Sequence, residues 1–83
     1  MQVQVRYFAS LREALGAGEA VEIEAGSNLG QLRDALIARG GAHAQALARG
    51  RALRCALNQV MADEATVIGD GAEIAFFPPV TGG

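Results

Sequence analysis

Val3, Val5 and Tyr7 alternate with Gln2, Gln4 and Arg6, a period of two that predicts a first strand with one face in the core and leaves Phe8 on the opposite face. Ser10 followed by Glu13 has the spacing of a capping box, and Leu11, Ala14 and Leu15 supply the apolar stripe of a short helix that Gly16 and Gly18 end. Alternation returns in Val21, Ile23 and Ala25 against Glu22 and Glu24, a second strand with an acidic outer face, before Gly26 and Ser27 turn the chain. Asn28 and Gln31 form another capping pair. They open the main helix, whose Leu29, Leu32, Ala35 and Leu36 are placed on one face and which Gly40 and Gly41 stop.

From His43 to Arg49 the pattern supports one or two further helical turns, after which Leu53, Cys55 and Leu57 alternate with Arg54 and Ala56 as a third strand. Asn58 and Gln59 make a turn; Val60 and Met61 are too few to define a strand, and residues 62–68 read as loop. Gly69, Asp70 and Gly71 form a tight turn into the last strand, Glu73 to Phe77, which puts Ile74 and Phe76 on one face and Ala75 and Phe77 on the other. The elements predict an α+β domain, a sheet of about five strands covered on one face by one main helix. Packing that helix against Val3, Val5, Tyr7, Val21, Ile23, Leu53, Leu57, Ile74 and Phe76 uses the core face of each strand. Phe8, Phe77 and Met61 are left outside. Such apolar residues either lie under a loop or form a contiguous patch that docks a protein.

Composition narrows the picture. The chain has 83 residues, enough for one small core and no second domain. Apolar residues make up 51% and charged residues 19%, which is globular composition. A formal charge of -2 with dispersed acids argues against nucleic acid as the main partner. Arg49, Arg51 and Arg54 are the one basic cluster, read as a solvated surface or a contact for an acidic protein. No basic segment followed by an apolar run opens the sequence and no apolar run approaches spanning length, so the expected compartment is the cytoplasm and no membrane partner is expected. His43 and Cys55 are the only histidine and cysteine, too few for a zinc cluster, and Cys55 falls on the presumed core face as a small hydrophobe. Gly69-Asp70-Gly71 lacks the lysine and following helix of a phosphate loop. No metal and no bound cofactor are expected.

The remaining chemistry lies at the carboxyl end. Pro78 and Pro79 fix φ and lack an N–H, so the last strand stops there and the chain leaves the fold. Gly82 and Gly83 make a thread slim enough for a narrow channel. A terminal carboxylate, with a pKa of about 3.3 to 3.7, is ionised and unreactive near neutrality and requires activation by a partner enzyme.

The ending Phe76-Phe77-Pro78-Pro79-Val80-Thr81-Gly82-Gly83, preceded by Asp70-Gly71 and by Ala56-Leu57-Asn58, resembles the small, sulfur-carrying subunits of molybdopterin synthase. The opening from Val3 to Ala9, with Leu11-Arg12-Glu13, and the helix from Asn28 to Leu36 are also similar to that family. The resemblance implies a ubiquitin-like β-grasp fold over residues 1–77, with first and last strands adjacent and parallel in the middle of the sheet, and an extended tail over residues 78–83. It implies further that an adenylyltransferase related to ubiquitin-activating enzymes uses ATP to convert Gly83 to an acyl adenylate, and that a persulfide donor makes it a thiocarboxylate. The tail, with Pro78, Pro79, Val80, Thr81 and Gly82, then enters the large synthase subunit, which moves the sulfur to cyclic pyranopterin monophosphate. By the same resemblance, catalytic residues belong to the large subunit, the assembly is two-plus-two, Phe77 faces the partners, Phe8 and Met61 extend the docking face, and Arg12 adds a polar rim. Cys55 departs from the alanine expected there. Two other readings share the fold and the two glycines: a modifier joined to lysines of other proteins, and a sulfur carrier for thiamine synthesis. An inert binding domain is a third. This chain has no lysine, so it cannot form self-linked chains.

Overall fold

The computed structural model describes residues 1–79. Among them, five strands form one mixed sheet in the order β2-β1-β5-β3-β4, where β1 is Gln2–Tyr7, β2 Gly18–Glu22, β3 Arg54–Leu57, β4 Val60–Ala62 and β5 Glu73–Phe77. β1 and β5 run parallel in the centre, Val5 opposite Ile74 and Tyr7 opposite Phe76; the other pairings are antiparallel. Three helices, α1 (Ser10–Leu15), α2 (Leu29–Ile37) and α3 (Gly41–Ala46), complete the described elements. A mixed sheet with its two terminal strands parallel in the middle and a helix across one face is the β-grasp arrangement.

The core follows the alternation of the strands. Val3, Val5, Tyr7, Val21, Ile74 and Phe76 are buried, together with Leu29, Leu32 and Leu36 of α2. Ile23, Leu53 and Leu57 pack against this core only partly buried. Leu47, Ile68 and Ala72 join it from segments outside the helices and strands. Cys55 is buried as predicted, and its Sγ donates to the Ala62 carbonyl at 3.3 Å.

Several local expectations change. Ser10 does not cap α1. It is the first helical residue, and Ala9, in the left-handed region at φ 53°, holds the cap position with no side-chain bond. The Ala9 carbonyl accepts from Arg12 N and Glu13 N, which leaves no role for the Ser10 hydroxyl. Of the predicted stripe, Leu11 is buried, Leu15 half-buried and Ala14 exposed.

The second strand begins at Gly18, three residues before the predicted run, because its antiparallel register to β1 sets Gly18 opposite Arg6 and Glu22 opposite Gln2. Beyond Ile23, whose N–H reaches the Met1 carbonyl, there is no strand left to pair with, so Glu24 and Ala25 are exposed in the turn. Gly18 is therefore a strand residue and not a helix stop. A Cβ there would run into the Val5 carbonyl oxygen.

α2 opens as predicted. Gln31 N donates to Asn28 Oδ1 at 2.8 Å and Asn28 N to Gln31 Oε1 at 2.9 Å, a complete capping box. The next free donors, Leu29 N and Gly30 N, reach the carbonyls of Thr66 and Glu64, so the 63–68 loop finishes the cap. Ala35 is exposed and Arg33 buried, reversing the expected stripe. At 3.6 residues per turn, positions 29, 32, 33 and 36 share one face, and 35 lies well off it. The helix ends at Ile37, and Gly40, at φ 76°, caps α3.

The turn at Asn58 and Gln59 has φ of 50° and 69°, the left-handed pair of a tight hairpin, and it creates the strand β4 that three residues of sequence could not announce.

Candidate functional site

β5 lies between β1 and β3, so its outward side chains sit in the middle of the sheet face opposite α2. Register builds that face in rows. Arg6 of β1 stands opposite Ala75, Ala75 opposite Ala56, and Ala56 opposite Met61. The next row holds Phe77 with Arg54 directly across from it. Phe8, whose N–H donates to the Phe76 carbonyl at 3.1 Å, continues β1 beside the same row. Adjacent residues point to opposite faces of a strand, so Tyr7 and Phe76 enter the core while Phe8 and Phe77 leave it. Phe8 and Ala75, with Arg6, Gln59 and Glu73, line a cleft of about 410 Å³ on this face.

The structure thus brings Phe8, Phe77 and Met61 to one face, as the alternation predicts. They are not equally open. Phe8 is 42% and Met61 55% exposed, whereas Phe77 is half-buried, paired with Arg54 of β3 on one side and following the Tyr7–Phe76 pair on the other. Arg12 is exposed on α1, and among the described residues no hydrogen bond or ion pair ties its side chain to the patch. Pro78 and Pro79 follow Phe77 directly and are half-buried, carrying the chain off the end of the central strand. Val80, Thr81, Gly82 and Gly83 lie outside the described residues.

The three arginines predicted to form a basic cluster do not form one. Arg49 is neutralised by Asp34 and Glu64 on the helix side. Arg51 lines the small cavity between α1 and α3, and Arg54 is on the sheet face.

The helix side holds two polar networks that sequence reading missed. Arg33, 4% exposed, donates from Nε to the Leu47 carbonyl at 2.8 Å, from Nη2 to the carbonyls of Ala48 and Arg51 at 2.6 and 3.1 Å, and from Nη1 to Glu64 at 2.8 Å. The Arg49 hydrogen bond, reinforced by Arg33, holds the Glu64 carboxyl below its ordinary range against the opposing effect of burial. In the second network Glu19 accepts from Tyr7 Oη at 2.8 Å, lies 2.8 Å from His43 Nε2 and pairs with Arg39. Burial alone would raise Glu19, but His43, Tyr7 and Arg39 outweigh it and bring the carboxyl down to about 2. Burial first, and then the Glu19 carboxylate, push the Tyr7 hydroxyl well above its usual value. No local signal marks either network, because the partners lie 12 to 31 residues apart.

Burial also pushes the Cys55 thiol up, with Glu64 and Asp63 adding to it, so the thiol stays protonated. Among the described residues no three His, Cys, Asp or Glu side chains are grouped to hold a metal ion, and no helix is long and apolar enough to cross a membrane.

The chain as a whole is similar to known proteins in sequence and in fold. Residues 5–83 match the model of the ThiS family. The chain belongs to the ThiS family. Within it, the chain is 36% identical to the molybdopterin synthase sulfur carrier subunit of Mycobacterium tuberculosis, over 100% of this chain and 99% of that protein. The corresponding subunit of Escherichia coli is 39% identical over 98% and 99% of the two chains. A chain in the complex of subunits 1 and 2 of molybdopterin-converting factor from Helicobacter pylori is similar at 28% identity with a TM-score of 0.69, covering 100% of both chains. The small archaeal modifier protein 1 of Haloferax volcanii is similar at 26% identity with a TM-score of 0.77, over 95% of this chain and 98% of that one. The fold is the ubiquitin-like β-grasp, and the family resemblance read from the tail and the opening residues holds over the full length.

Proposed function

We propose that this chain is the sulfur carrier of a molybdopterin synthase and that Gly83 carries the sulfur. Full-length likeness to sulfur carrier subunits supports this reading, as does the direct passage from the outward row of β5 into Pro78 and Pro79. An adenylyltransferase related to ubiquitin-activating enzymes joins the Gly83 carboxylate to AMP with release of pyrophosphate. The terminal sulfur of a persulfide bonds the acyl carbon as AMP leaves, and a thiol cleaves the resulting S–S bond to give the thiocarboxylate. Inside the large subunit the sulfur passes to cyclic pyranopterin monophosphate, with two deliveries for each dithiolene.

In this reading ATP belongs to the activating enzyme, the residues that catalyse sulfur transfer belong to the large subunit, and the assembly is two-plus-two. Phe8, Phe77 and Met61 dock the partners, Arg12 adds to the rim, and Pro78 to Gly82 thread the arm. Intact mass spectrometry after incubation with the activating enzyme, ATP and a sulfur donor is the test. One oxygen exchanged for one sulfur is expected. Deleting Gly83, or extending the chain past it with a tag, abolishes both the exchange and pterin sulfuration without changing the urea midpoint. A tagged protein that still supports cofactor synthesis overturns the mechanism.

The likeness to a small archaeal modifier protein favours one second reading, in which activated Gly83 is joined to lysines of other proteins. It predicts covalent adducts in cells that disappear when Gly83 is removed. A carrier for thiamine synthesis shares the two glycines, and sulfuration assays with the pterin precursor separate it from the first reading.

A further inference from the structure

The chain has seven arginines and no lysine. On the helix side and at the sheet rim four of the arginines are paired within the fold: Arg33 with Glu64, Arg39 with Glu19, Arg49 with Asp34 and Glu64, and Arg6 with Glu73. Arg54 is different. It is exposed at the start of β3, its register partner across the sheet is Phe77, and no carboxylate among the described residues pairs with it. Directly opposed residues hold their Cβ atoms about 4.5 to 5.5 Å apart, so the Arg54 side chain leaves the sheet next to that of Phe77. The hairpin places Asp63 one step beyond the Cys55–Ala62 pair, which makes it the nearest acid in register. Asp63 is turned into its own loop, where Oδ1 accepts from Ala65 N at 2.9 Å and Thr66 Oγ1 at 3.3 Å.

Of the three arginines with no carboxylate partner among the described residues, Arg12 is on α1 and Arg51 lines the cavity between α1 and α3, so only Arg54 stands next to the apolar row of the sheet face. A chain with a formal charge of -2 presents an arginine at the edge of the apolar row of its proposed docking face. Desolvating a guanidinium against a purely apolar surface is costly, so a partner that covers Phe8 and Phe77 must supply an acceptor. A planar guanidinium is best met by a carboxylate in two-point contact.

We propose that Arg54 is a specificity-determining residue of the docking face, reading a carboxylate at the rim of the apolar patch on the large synthase subunit. The inference rests on the docking face of the proposed function. Its signature is electrostatic, because a rim charge acts mainly on the association rate and its salt dependence.

The test measures association of the full chain with the large subunit by stopped flow or surface plasmon resonance, at about 0.05 M and about 1 M salt, where the Debye length falls to about 3 Å. The variants are Arg54→Glu, Arg54→Ala, Arg51→Glu and Phe8→Ala. Arg51→Glu makes the same charge change three residues away on the helix side. Urea midpoints establish that each variant is folded. Arg54→Glu is expected to slow association roughly tenfold or more at low salt and Arg54→Ala several-fold, both effects shrinking at high salt, while Arg51→Glu stays within about twofold. If Phe8→Ala weakens binding but Arg54→Glu behaves like Arg51→Glu, the role of Arg54 is refuted and the docking face stands. A loss with Arg54→Glu that is the same at both salt concentrations also refutes it, since that would be packing and not charge. If neither Phe8→Ala nor Arg54→Glu alters binding, the docking face itself is wrong.

Discussion

Replacing Phe8 by alanine separates docking from folding more cleanly than replacing Phe77, although Phe77 lies in the more central strand. An aromatic side chain offers about 150 to 250 Å². Phe8 leaves 42% of its surface in water, so a partner that covers it removes roughly 60 to 105 Å². At about 25 cal/mol per Å² this amounts to about 1.5 to 2.6 kcal/mol, or roughly a 10- to 80-fold rise in Kd for Phe8→Ala. The exposed part contributes nothing to the core of the isolated domain, but more than half of Phe8 is already covered, so a stability loss of about 1 kcal/mol is expected. Phe77 is the converse case. It has already buried much of its ring among neighbouring strands, so Phe77→Ala weakens docking and also destabilises the fold by about 1 to 3 kcal/mol, less than the full cost of a core phenylalanine. Isothermal titration calorimetry against the large subunit and urea unfolding of the free chain measure the two quantities. An affinity within twofold of the parent for Phe8→Ala, or a stability loss above about 2 kcal/mol for the same variant, refutes the reasoning.

The polar networks make two further predictions. Arg33→Met strips donors from three carbonyls and from Glu64, and should cost about 3 to 5 kcal/mol in urea unfolding, a large part of the 5 to 15 kcal/mol typical of a domain. Arg33→Lys keeps the charge without the planar fork and should still lose at least about 2 kcal/mol; a loss below about 1 kcal/mol would mean that water replaces the donors. Glu19 has a folded pKa near 2 against an ordinary 4.5, so its contribution is complete above about pH 4.5 and disappears as the pH falls toward 2. Discounted for a side chain about a quarter exposed, it is worth about 1 to 2 kcal/mol. Unfolding at pH 2.5, 3.5 and 5 should show this loss, and Glu19→Gln should flatten it, leaving the smaller part owed to Glu64; an identical pH profile in both proteins would refute the assignment.

What was legible in the sequence was local. Alternation alone defines β1 and β5, and the Asn28–Gln31 pair defines the start of α2, because those signals need only near neighbours. β4 was not legible. Val60, Met61 and Ala62 become a strand through pairing with β3 across the Asn58–Gln59 turn, a stabilisation that three residues do not carry by themselves. Ser10 was misread because the spacing of a capping box does not reveal that Ala9 takes a left-handed conformation and supplies the carbonyl for the first turn. Arg33 was missed because an arginine on an apolar helix face is buried only when carbonyls 14 to 18 residues away are turned toward it. At the candidate site, alternation placed Phe8 and Phe77 outward, but the approach of Arg54 to Phe77 depends on the β3–β5 register, which no single strand encodes.

That register also explains how so small a chain keeps folding and docking apart. With 83 residues and one core it has little interior to spare for a walled pocket, and the proposed function accordingly puts binding on a surface and on the tail. The sheet divides the work through adjacent residues of opposite facing: Tyr7 and Phe76 close the core, and Phe8 and Phe77 line the outer row. A slip of one residue in the pairing of β5 would exchange these roles along the whole strand. Two features pin it. Glu73 N donates to Asn58 Oδ1 at 3.0 Å while Asn58 N reaches the Glu73 carbonyl at 2.8 Å, and at the other end Phe8 N holds the Phe76 carbonyl. Asn58 is itself a residue of the hairpin turn that makes β4. One tight turn therefore sets the edge strand that brings in Met61 and the register that points Phe77 outward, and it does so from the end of β5 opposite the one where the arm departs.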